Sequence, residues 1–281
     1  MRVLVTGAQG MLGTDLVRLL KNEGLDVYAF GHKALDITNR DSTISTVKEI
    51  KPQVVINCAA YTRVDDAETH RDEAFGVNAL GVQNLAIASQ EAGSELCHVS
   101  TDYVFSGDAE RPYTPFDLTS PVNFYGLSKL AGEQYIRDIL SRYYIVRTSW
   151  LYGVGGKNFV KTILRLASER DELRVVSDQI GSPTWTVTLA RGILSTVRSG
   201  VYGVHHVTDR TEGGISWYDF ACEIIARRGL KTRVTPIETS EFPTAARRPK
   251  YSVLDTFFTE VSTGFQPPDW KDSLYECLKR I

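Results

Sequence analysis

The chain has 281 residues, enough for one large α/β domain or two modest ones. Of these, 42% are hydrophobic and 23% charged, which is typical of a globular protein. A formal net charge of -2 and a pI near 6.2 exclude the strongly basic surface that nucleic acid or an anionic membrane would attract. The chain has no apolar run of membrane-spanning length and no signal peptide, so we expect a cytoplasmic protein without nucleic-acid or membrane partners.

Neither the cysteines nor the histidines form a metal-binding pattern. The four cysteines lie far apart, and the five histidines include no HxxxH pair. Cys58 and Cys97 lie within apolar runs, which favours buried free thiols. We therefore predict that the protein builds no metal site.

The first half of the chain alternates strand and helix patterns. The apolar and β-branched runs predict strands at 2–7, 26–31, 52–60, 95–105 and 143–153. The segments between them predict helices at 11–22, 40–50, 73–91 and around Tyr125 and Lys129. The run at 52–60 is apolar throughout, as expected of a strand buried on both faces. This order indicates a parallel sheet with helices on both faces and right-handed crossovers.

After residue 153 the alternation changes. Helices are predicted at 158–167, 186–197 and 216–229, the last with a serine cap, and strands at the start of 173–184 and in 201–208. We predict an α/β fold, a Rossmann-type doubly wound parallel sheet with a smaller, interleaved C-terminal substrate domain. The dinucleotide-binding domain would comprise 1–153, completed by about 184–204. The substrate domain would comprise about 154–183 and 205–281.

A glycine-rich turn directly follows the first strand. In "TGAQGMLG", Gly7, Gly10 and Gly13 lead into the first helix. Glycine lets the backbone approach a pyrophosphate, whose charge lies at the helix N-terminus. The segment therefore predicts a dinucleotide site, although the spacing GxxGxxG departs from the GxGxxG of ordinary dehydrogenases. A glycine turn that serves only close helix–strand packing remains the alternative.

The end of the second strand favours NADPH over NADH. An acidic residue about twenty positions after the glycines usually selects NAD by binding the ribose hydroxyl. Here "FGHK" ends the strand, and no carboxylate occurs before Asp36. His32 and Lys33 suit a 2′-phosphate instead. We expect NADPH as the cofactor, with NADH possible as a second donor.

Tyr125 and Lys129 lie at positions i and i+4, on one face of a helix. An unperturbed tyrosine titrates near pH ~10, and a nearby ammonium would lower its pKa. Ser100 and Thr101 end a strand where ligands of open α/β sheets lie, and a hydroxyl there can bind a substrate carbonyl. Alone, Tyr125 is equally compatible with a surface aromatic, but the three features together indicate a catalytic site.

These motifs resemble the extended short-chain dehydrogenase/reductases and, within them, the dTDP-4-dehydrorhamnose reductase family. The resemblance covers nearly the whole chain and includes the segments "VTGAQGMLG", "INCAAYTRVDDAE", "STDYVF", "YGLSKLAGE", "VRTSWLYG", "VVSDQIGSPT" and "RRPKYSVLD". It implies that Thr101, Tyr125 and Lys129 are catalytic.

The resemblance also implies the binding residues. The cofactor would be bound by Gly7, Gly10, Met11, Leu12, Gly13, His32, Lys33, Asp36, Ile37, Ala59, Ala60, Tyr61, Thr62, Asn78, Tyr125 and Lys129. The nucleotide-sugar substrate would be bound by Thr62, Val64, Thr101, Asp102, Tyr103, Trp150 and Arg248. From its sequence position alone, Trp150 fits the core as well as a substrate site, and the basic pair at 247–248 fits a solvated surface.

The implied reaction is hydride transfer from NADPH to the C4 carbonyl of a dTDP-4-keto-6-deoxy sugar, the last step of dTDP-L-rhamnose synthesis. Thr101 would polarise the carbonyl and Tyr125 would protonate the developing alkoxide. Lys129 would hold the nicotinamide ribose and lower the pKa of Tyr125.

Two other functions are compatible with the resemblance. A sugar-nucleotide epimerase or 4,6-dehydratase has the same fold, but a dehydratase is expected to carry Asp-Glu after the active-site threonine, where this chain has Asp102 and Tyr103. A regulatory subunit resembling the methionine adenosyltransferase β subunit is the non-enzymatic alternative. Some family members dimerise around Mg²⁺ through glutamates after the "GSPT" loop, but "TWTVTLARG" has no carboxylate. We therefore expect a monomer or weak homodimer, without a metal link.

Overall fold

The computed structural model describes residues 1–281. The strands are β1 Arg2–Thr6, β2 Asp26–Phe30, β3 Val54–Asn57, β4 Glu95–Thr101, β5 Tyr143–Thr148, β6 Leu151–Tyr152, β7 Glu172–Val176, β8 Ile180–Gly181, β9 Thr184–Trp185, β10 Gly203–His206, β11 Ile215–Ser216 and β12 Arg233–Ile237. The helices are α1 Met11–Asn22, α2 Arg40–Ile50, α3 Arg71–Phe75, α4 Gly81–Ala92, α5 Phe124–Ile139, α6 Phe159–Glu169, α7 Thr186–Ser199, α8 Trp217–Arg227, α9 Phe257–Thr263 and α10 Trp270–Leu278.

Six parallel strands form the central sheet, in the order β10-β5-β4-β3-β1-β2. From β1 the chain first adds β2 on one side and then β3 on the other. The order therefore reverses between β1 and β3, and in open α/β sheets a ligand binds outside the carboxyl ends of the strands at such a point. The predicted doubly wound parallel sheet is confirmed.

Helices cover both faces of this sheet. On one face, α1 and α7 pack against each other and enclose an apolar core that includes Leu16, Leu20, Leu189 and Ile193. On the other face, α2, α4 and α5 enclose a second core. The β3 side chains at 54–56 are at most 2% exposed, which confirms the prediction of a strand buried on both faces.

Some strands end earlier than their sequence patterns predict. The apolar run at 52–60 forms a strand only over Val54–Asn57. The run at 95–105 ends as a strand at Thr101 and continues as one turn of 3₁₀ helix, Asp102–Val104. In 143–153 the strand is interrupted after Thr148, because Trp150 adopts a left-handed backbone with a φ of 45°. These early ends place side chains at the carboxyl edge of the sheet.

A π-helical turn, Gly76–Leu80, joins α3 to α4. The predicted helix at 73–91 therefore exists, and it carries one wide turn near its start. Such turns are frequent at functional sites. This turn places Asn78 against α5, because an added Cβ at Gly132 would lie 2.3 Å from the Asn78 carbonyl oxygen.

The second body of the protein packs around short strand pairs. β7 pairs with β12, β8 with β11 and β6 with β9, while α6, α8 and α10 cover an aromatic-rich core. Ser216 caps α8 through a reciprocal capping box with Asp219, which confirms the predicted serine cap. Between these segments the chain returns to the central sheet, where α7 packs on α1 and β10 pairs with β5.

Candidate active site

The glycine loop after β1 packs tightly against the backbone that follows β3. Gly7 has a φ of 65°, and a Cβ at this position would lie 2.5 Å from the backbone nitrogen of Ala59. A Cβ at Gly13 would lie 2.2 Å from the Gly7 carbonyl oxygen. Both contacts are shorter than side chains tolerate, so the loop requires glycine. Close packing and ligand access therefore both depend on this turn.

The N-terminus of α1 is free to receive an anion. Gly10 is its N-cap residue, and no side chain caps the first turn. The unpaired backbone N–H groups and the helix dipole make the end of this twelve-residue helix suitable for a phosphate. Of the predicted loop residues, Met11 is half-buried, but Leu12 is 6% exposed and packs in the core under the sheet. Leu12 can therefore offer a ligand only its backbone.

The end of β2 presents its charged residues to solvent. His32 and Lys33 are exposed, and His32 Nδ1 lies 4.0 Å from Asp36 Oδ1. Asp36 also accepts hydrogen bonds from the Thr38 backbone and hydroxyl, at 3.0 and 2.8 Å. Ile37 is only 3% exposed and belongs to the core, so it can offer the predicted cofactor site only its backbone.

The three predicted catalytic residues come from the end of β4 and the first two turns of α5. Asn123 caps α5 by accepting from Gly126 N at 2.8 Å, which places Tyr125 in the first turn. At Gly126 a Cβ would lie 2.1 Å from the Tyr103 carbonyl oxygen, so the helix start closes directly onto the turn after Thr101. Thr101 is within hydrogen-bonding reach of the Tyr125 hydroxyl. The structure thus brings Thr101 and Tyr125 together.

Lys129 is buried, with 2% of its surface exposed. Its Nζ donates to the Val99 carbonyl at 2.7 Å and lies 3.1 Å from His98 Nε2. Burial lowers the pKa of Lys129 to about 8, against the attraction of Glu133 and Cys58.

The expected effect of Lys129 on Tyr125 does not occur in this arrangement. Burial raises the pKa of the Tyr125 phenol, although the hydrogen bond with Thr101 opposes the shift. The prediction that Lys129 lowers this pKa is therefore wrong for the geometry observed, because the lysine nitrogen is directed at His98 and Val99.

Asp102 lies behind Thr101, away from the surface. It is 2% exposed, and its Oδ1 accepts a hydrogen bond from the Thr101 hydroxyl at 2.9 Å. Burial raises the pKa of Asp102 to about 6, opposed by hydrogen bonds that include Ser252 and Thr101. This carboxyl group therefore orients Thr101, and its contact with the sugar remains a prediction.

Asn78 likewise has a structural task that the sequence did not indicate. Its Oδ1 accepts from Tyr61 N at 2.9 Å, and its Nδ2 donates to the Tyr61 carbonyl and to Ser128 Oγ, both at 3.0 Å. Both N–H groups of the amide are thus used, and Asn78 holds the 59–62 segment against α5. Within that segment, Ala59 and Ala60 are half-buried, and Thr62 is exposed. Val64, two residues further, is half-buried.

A cleft of about 680 Å³ opens mainly between segments of the second body. Its apolar wall comes from the second body and includes Phe159, Ile163, Val175, Trp217 and Ile237. Asp65 and Arg248 provide its charged end. This size and lining suit a small ligand with an aromatic or apolar part and a polar part.

Arg248 connects the cleft to the catalytic tyrosine. Its guanidinium donates to Asp65 Oδ2 at 2.7 Å and to the Tyr103 hydroxyl at 3.0 Å. The Tyr103 ring then packs edge-on against Tyr125, with 5.7 Å between the ring centroids. The predicted substrate residues Tyr103 and Arg248 thus lie next to each other, and Asp65 is an addition that sequence analysis missed.

Trp150 stacks on Trp217, with 3.5 Å between the ring centroids and 8° between the planes. Gly181 lies against the same indole, because its added Cβ would be 2.5 Å from Trp150 Cε2. Trp217 lines the cleft and covers one face of Trp150. Sequence analysis missed Trp217, although "SWYDF" places it directly after the helix cap.

A buried ion pair beneath α5 was also missed. Glu133 accepts from Arg147 Nε at 2.9 Å and Nη2 at 2.6 Å, and from Ser100 Oγ at 2.6 Å. Glu133 is 0% and Arg147 1% exposed. The pair fixes the catalytic helix to β4 and β5. An arginine within the apolar run "YYIVRT", and a glutamate one turn after Lys129, were the available signals.

Comparisons with known proteins decide the family. The family model described as RmlD substrate binding domain matches residues 1–281. This chain belongs to that family. A dTDP-4-dehydrorhamnose reductase of Aggregatibacter actinomycetemcomitans is 42% identical over 97% of each chain. A dTDP-4-keto-6-deoxy-D-glucose reductase of Streptomyces niveus is 44% identical over 90% of this chain and 88% of its own.

A solved structure of the RmlD family matches the fold. It is the dTDP-4-dehydrorhamnose reductase of Bacillus anthracis in complex with NADP, 45% identical, with a TM-score of 0.95 over 100% of this chain and 99% of that one. The predicted resemblance to this reductase family is confirmed.

This chain has neither a metal-binding cluster nor a membrane-spanning helix. No group of three or more His, Cys, Asp or Glu side chains is arranged to hold a metal ion. None of the helices combines the length and the apolar character needed to cross a membrane.

Proposed function

We propose that this chain is an NADPH-dependent oxidoreductase that reduces the C4 carbonyl of dTDP-4-dehydro-L-rhamnose to dTDP-L-rhamnose. This is the last step of dTDP-rhamnose biosynthesis, which supplies polysaccharide synthesis. The observation that carries the proposal is the position of Tyr125, which lies between Thr101 and the Tyr103–Arg248 end of the cleft. Whole-length similarity to reductases of this name supports the same activity.

The residues present fit a dinucleotide cofactor. The glycine turn leaves no room for side chains at Gly7 or Gly13, and the first turn of α1 has no side-chain cap. We infer that Gly7, Gly10 and Gly13 receive the pyrophosphate, and that Lys33 and His32 receive the 2′-phosphate of NADPH. When bound, NADPH supplies the hydride. NADH is an acceptable second donor, because no carboxylate ends β2 to discriminate between the two.

Tyr125 supplies the proton in this scheme. As C4 gains the hydride, its oxygen takes the proton of the Tyr125 hydroxyl and becomes the new alcohol. A raised pKa suits this direction of reaction, because the phenol keeps its proton until the carbonyl oxygen becomes basic. Thr101, oriented by Asp102, holds the phenol and faces the carbonyl.

The cleft is our proposed site for the nucleotide sugar. Arg248 is the cation best placed for a negatively charged group, and it is already directed towards Tyr103 and Tyr125. Trp217 and Phe159, whose ring centroids are 4.6 Å apart, offer an apolar wall for a base. Trp150 supports Trp217 from behind. Thr62 and Val64 complete the set that we propose near the sugar.

We further infer a division of the chain into a cofactor domain, 1–153 with about 184–204, and a substrate domain from the remainder. The core below β7 and α8 is separate from the two cores of the sheet, which supports this division.

We also propose that the enzyme acts in the cytoplasm as a monomer or weak homodimer without a metal link. Four free cysteines are compatible with a reducing compartment.

The decisive experiment offers the purified protein two substrates with NADPH, dTDP-4-dehydro-L-rhamnose and dTDP-4-keto-6-deoxy-D-glucose. We expect loss of NADPH absorbance with the first substrate and formation of dTDP-L-rhamnose. Preference for the second substrate would support the proposed carbonyl reduction but would change the identity of the natural sugar. Failure to oxidise NADPH with either sugar, in a protein that binds both ligands, would favour a regulatory subunit.

A further inference from the structure

A chain of buried hydrogen bonds begins at Asn57, at the end of β3. The Ala59 backbone N–H donates to Asn57 Oδ1 at 3.0 Å, and Thr6 Oγ1 lies 2.6 Å from the same atom. A backbone N–H can only donate, so this contact fixes which end of the amide is the oxygen. The NH₂ group of Asn57 must therefore point the other way.

That NH₂ group faces His98. Asn57 Nδ2 lies 2.9 Å from His98 Nδ1, and His98 is 0% exposed. Burial, with Lys129 nearby, holds the pKa of His98 well below its ordinary value, so the imidazole is neutral. A neutral imidazole carries one proton, and Nδ1 must accept from the amide. The proton of His98 is therefore on Nε2.

His98 Nε2 lies 3.1 Å from Lys129 Nζ. An ammonium at Nζ has only donors, so it would present N–H groups to another N–H. A neutral amine has a lone pair that accepts from Nε2–H, and it still donates to the Val99 carbonyl at 2.7 Å. Only the neutral amine satisfies every contact in this buried row.

We propose that Asn57 and His98 hold Lys129 as a neutral amine, and that Lys129 takes up a proton when the cofactor binds. The second half of this proposal rests on the cofactor role proposed for Lys129 above. His98 is thus a positioning residue, which acts on the reaction only through Lys129.

The other groups around Lys129 do not reverse this preference. Glu133, on the same helix, favours the charged form, but its carboxylate is already paired with Arg147. Cys58, which directly follows β3, is a neutral thiol, because burial raises its pKa to about 12. Tyr125, one turn earlier on α5, is a protonated phenol. Burial and the fixed Nε2–H of His98 both lower the pKa of Lys129, and they act in the same direction.

The consequence is a measurable proton balance. Because the pKa of Lys129 in the free protein is about 8, the amine predominates at about pH 9. If the ammonium is the form that binds ribose oxygens, cofactor binding at that pH takes up close to one proton. Affinity for NADPH then weakens as pH rises above the pKa of Lys129 in the free protein, by up to about tenfold per pH unit.

The first test is NMR of the free protein with ¹⁵N-labelled lysine, and Lys129→Met assigns the Lys129 signal. At about pH 9 we expect mostly the amine, because burial lowers the pKa of Lys129 to about 8, whereas an ordinary lysine, which titrates near ~10.4, would still be an ammonium. In His98→Gln the side-chain amide can turn its oxygen to Nζ, so Lys129 should become an ammonium and its pKa should rise by about one to two pH units. An ammonium signal in the wild-type protein at about pH 9 would overturn the proposal, whatever the behaviour of the variant.

The second test is calorimetry of NADPH binding in buffers of different ionisation enthalpy. The Lys129→Met variant has no amine at this position. Any proton that it takes up on binding NADPH therefore belongs to the 2′-phosphate, and that amount is subtracted from the wild-type value. At about pH 9 we expect uptake of close to one proton in the wild type and clearly less in His98→Gln. Binding without uptake would refute the switch while leaving the reductase activity standing. Absence of NADPH binding would instead refute the proposed function, and the amine would still be decided by NMR.

Discussion

The cofactor side and the substrate cleft of this site are built in opposite ways. The cofactor side is mostly backbone, in which Gly7 and Gly13 allow one short loop to close on the end of β3. The cleft is mostly side chains, and its members Asp65, Trp217 and Arg248 come from distant parts of the chain. A backbone site tolerates few substitutions and serves one ligand class, whereas a side-chain cleft can change specificity one residue at a time. Reductases for different sugars can therefore share one cofactor loop.

The largest effect should come where the two regions meet. Tyr125→Phe removes the proton donor and leaves the ring, so single-turnover reduction should slow by roughly 10²–10⁴-fold. NADPH affinity, measured by fluorescence, should not change. Tyr135→Phe is a matched control on the same helix, roughly 15 Å further along its axis. A near wild-type rate for Tyr125→Phe would mean that the proton comes from another group.

The buried ion pair between Glu133 and Arg147 should give the next largest effect, which is an effect on stability. Glu133→Ala leaves Arg147 buried without its partner, at a cost of about 3–5 kcal/mol in the free energy of unfolding. Urea denaturation measures this difference. Glu91→Ala breaks an exposed pair with Lys48 and should cost below about 1 kcal/mol. Equal costs for the two variants would show that the buried pair does not anchor α5.

On the cofactor side, Gly13→Ala places a methyl group 2.2 Å from the Gly7 carbonyl oxygen and must displace the loop. NADPH affinity should fall about ten- to hundredfold, corresponding to overpacking of about 1–3 kcal/mol. Gly76→Ala is the control, since its added Cβ meets no atom within 4 Å. If both variants bind NADPH alike, the tight turn does not shape the cofactor site.

On the substrate side, Arg248→Ala should act without touching the cofactor. The KM for the nucleotide sugar should rise about tenfold, equivalent to about 1.4 kcal/mol, while the Kd for NADPH is unchanged. Arg247→Ala removes an exposed neighbour and serves as the control. A parallel loss of NADPH affinity would contradict the separation of the two regions.

The smallest effect is expected at the exposed end of β2. Lys33→Ala should weaken NADPH by about two- to fivefold, as expected for a solvent-screened charge worth below about 1 kcal/mol. NADH, which has no 2′-phosphate, is the internal control and should bind as before. An equal change in both affinities would mean that Lys33 acts on the loop rather than on the phosphate.

The sequence is sufficient to predict those parts of the molecule in which residues close in sequence are also close in space. The strand–glycine–helix order, and the i to i+4 pair on α5, depend on local geometry, so the pattern was sufficient. Arg248 and Asp65 are 183 positions apart in the sequence, and no local pattern marks Asp65 as the partner. The contact exists only because the second body folds over the sheet.

Burial is a second property that the sequence did not reveal. Asp102, Asn78 and Ile37 lie at positions that the family resemblance associates with ligands, yet each side chain points inwards. At the end of a strand, one residue of shift exchanges the inner and outer faces, and sequence alone does not decide where the strand ends. The direction of the Tyr125 pKa was wrong for the same reason, because the cost of burying a phenolate exceeded any effect of a nearby cation.

The return of the chain to the central sheet has a consequence for protein synthesis. The outer edge of β5 is covered only when β10 arrives, after residues 149–202 have been made. At ~5–20 residues per second, the nascent chain carries this apolar edge uncovered for roughly 3–11 s. An open edge of β-branched and aromatic residues is a site for pairing with other chains. A ribosome that stalls in this interval, or a gene truncated before Gly203, therefore releases an aggregation-prone product.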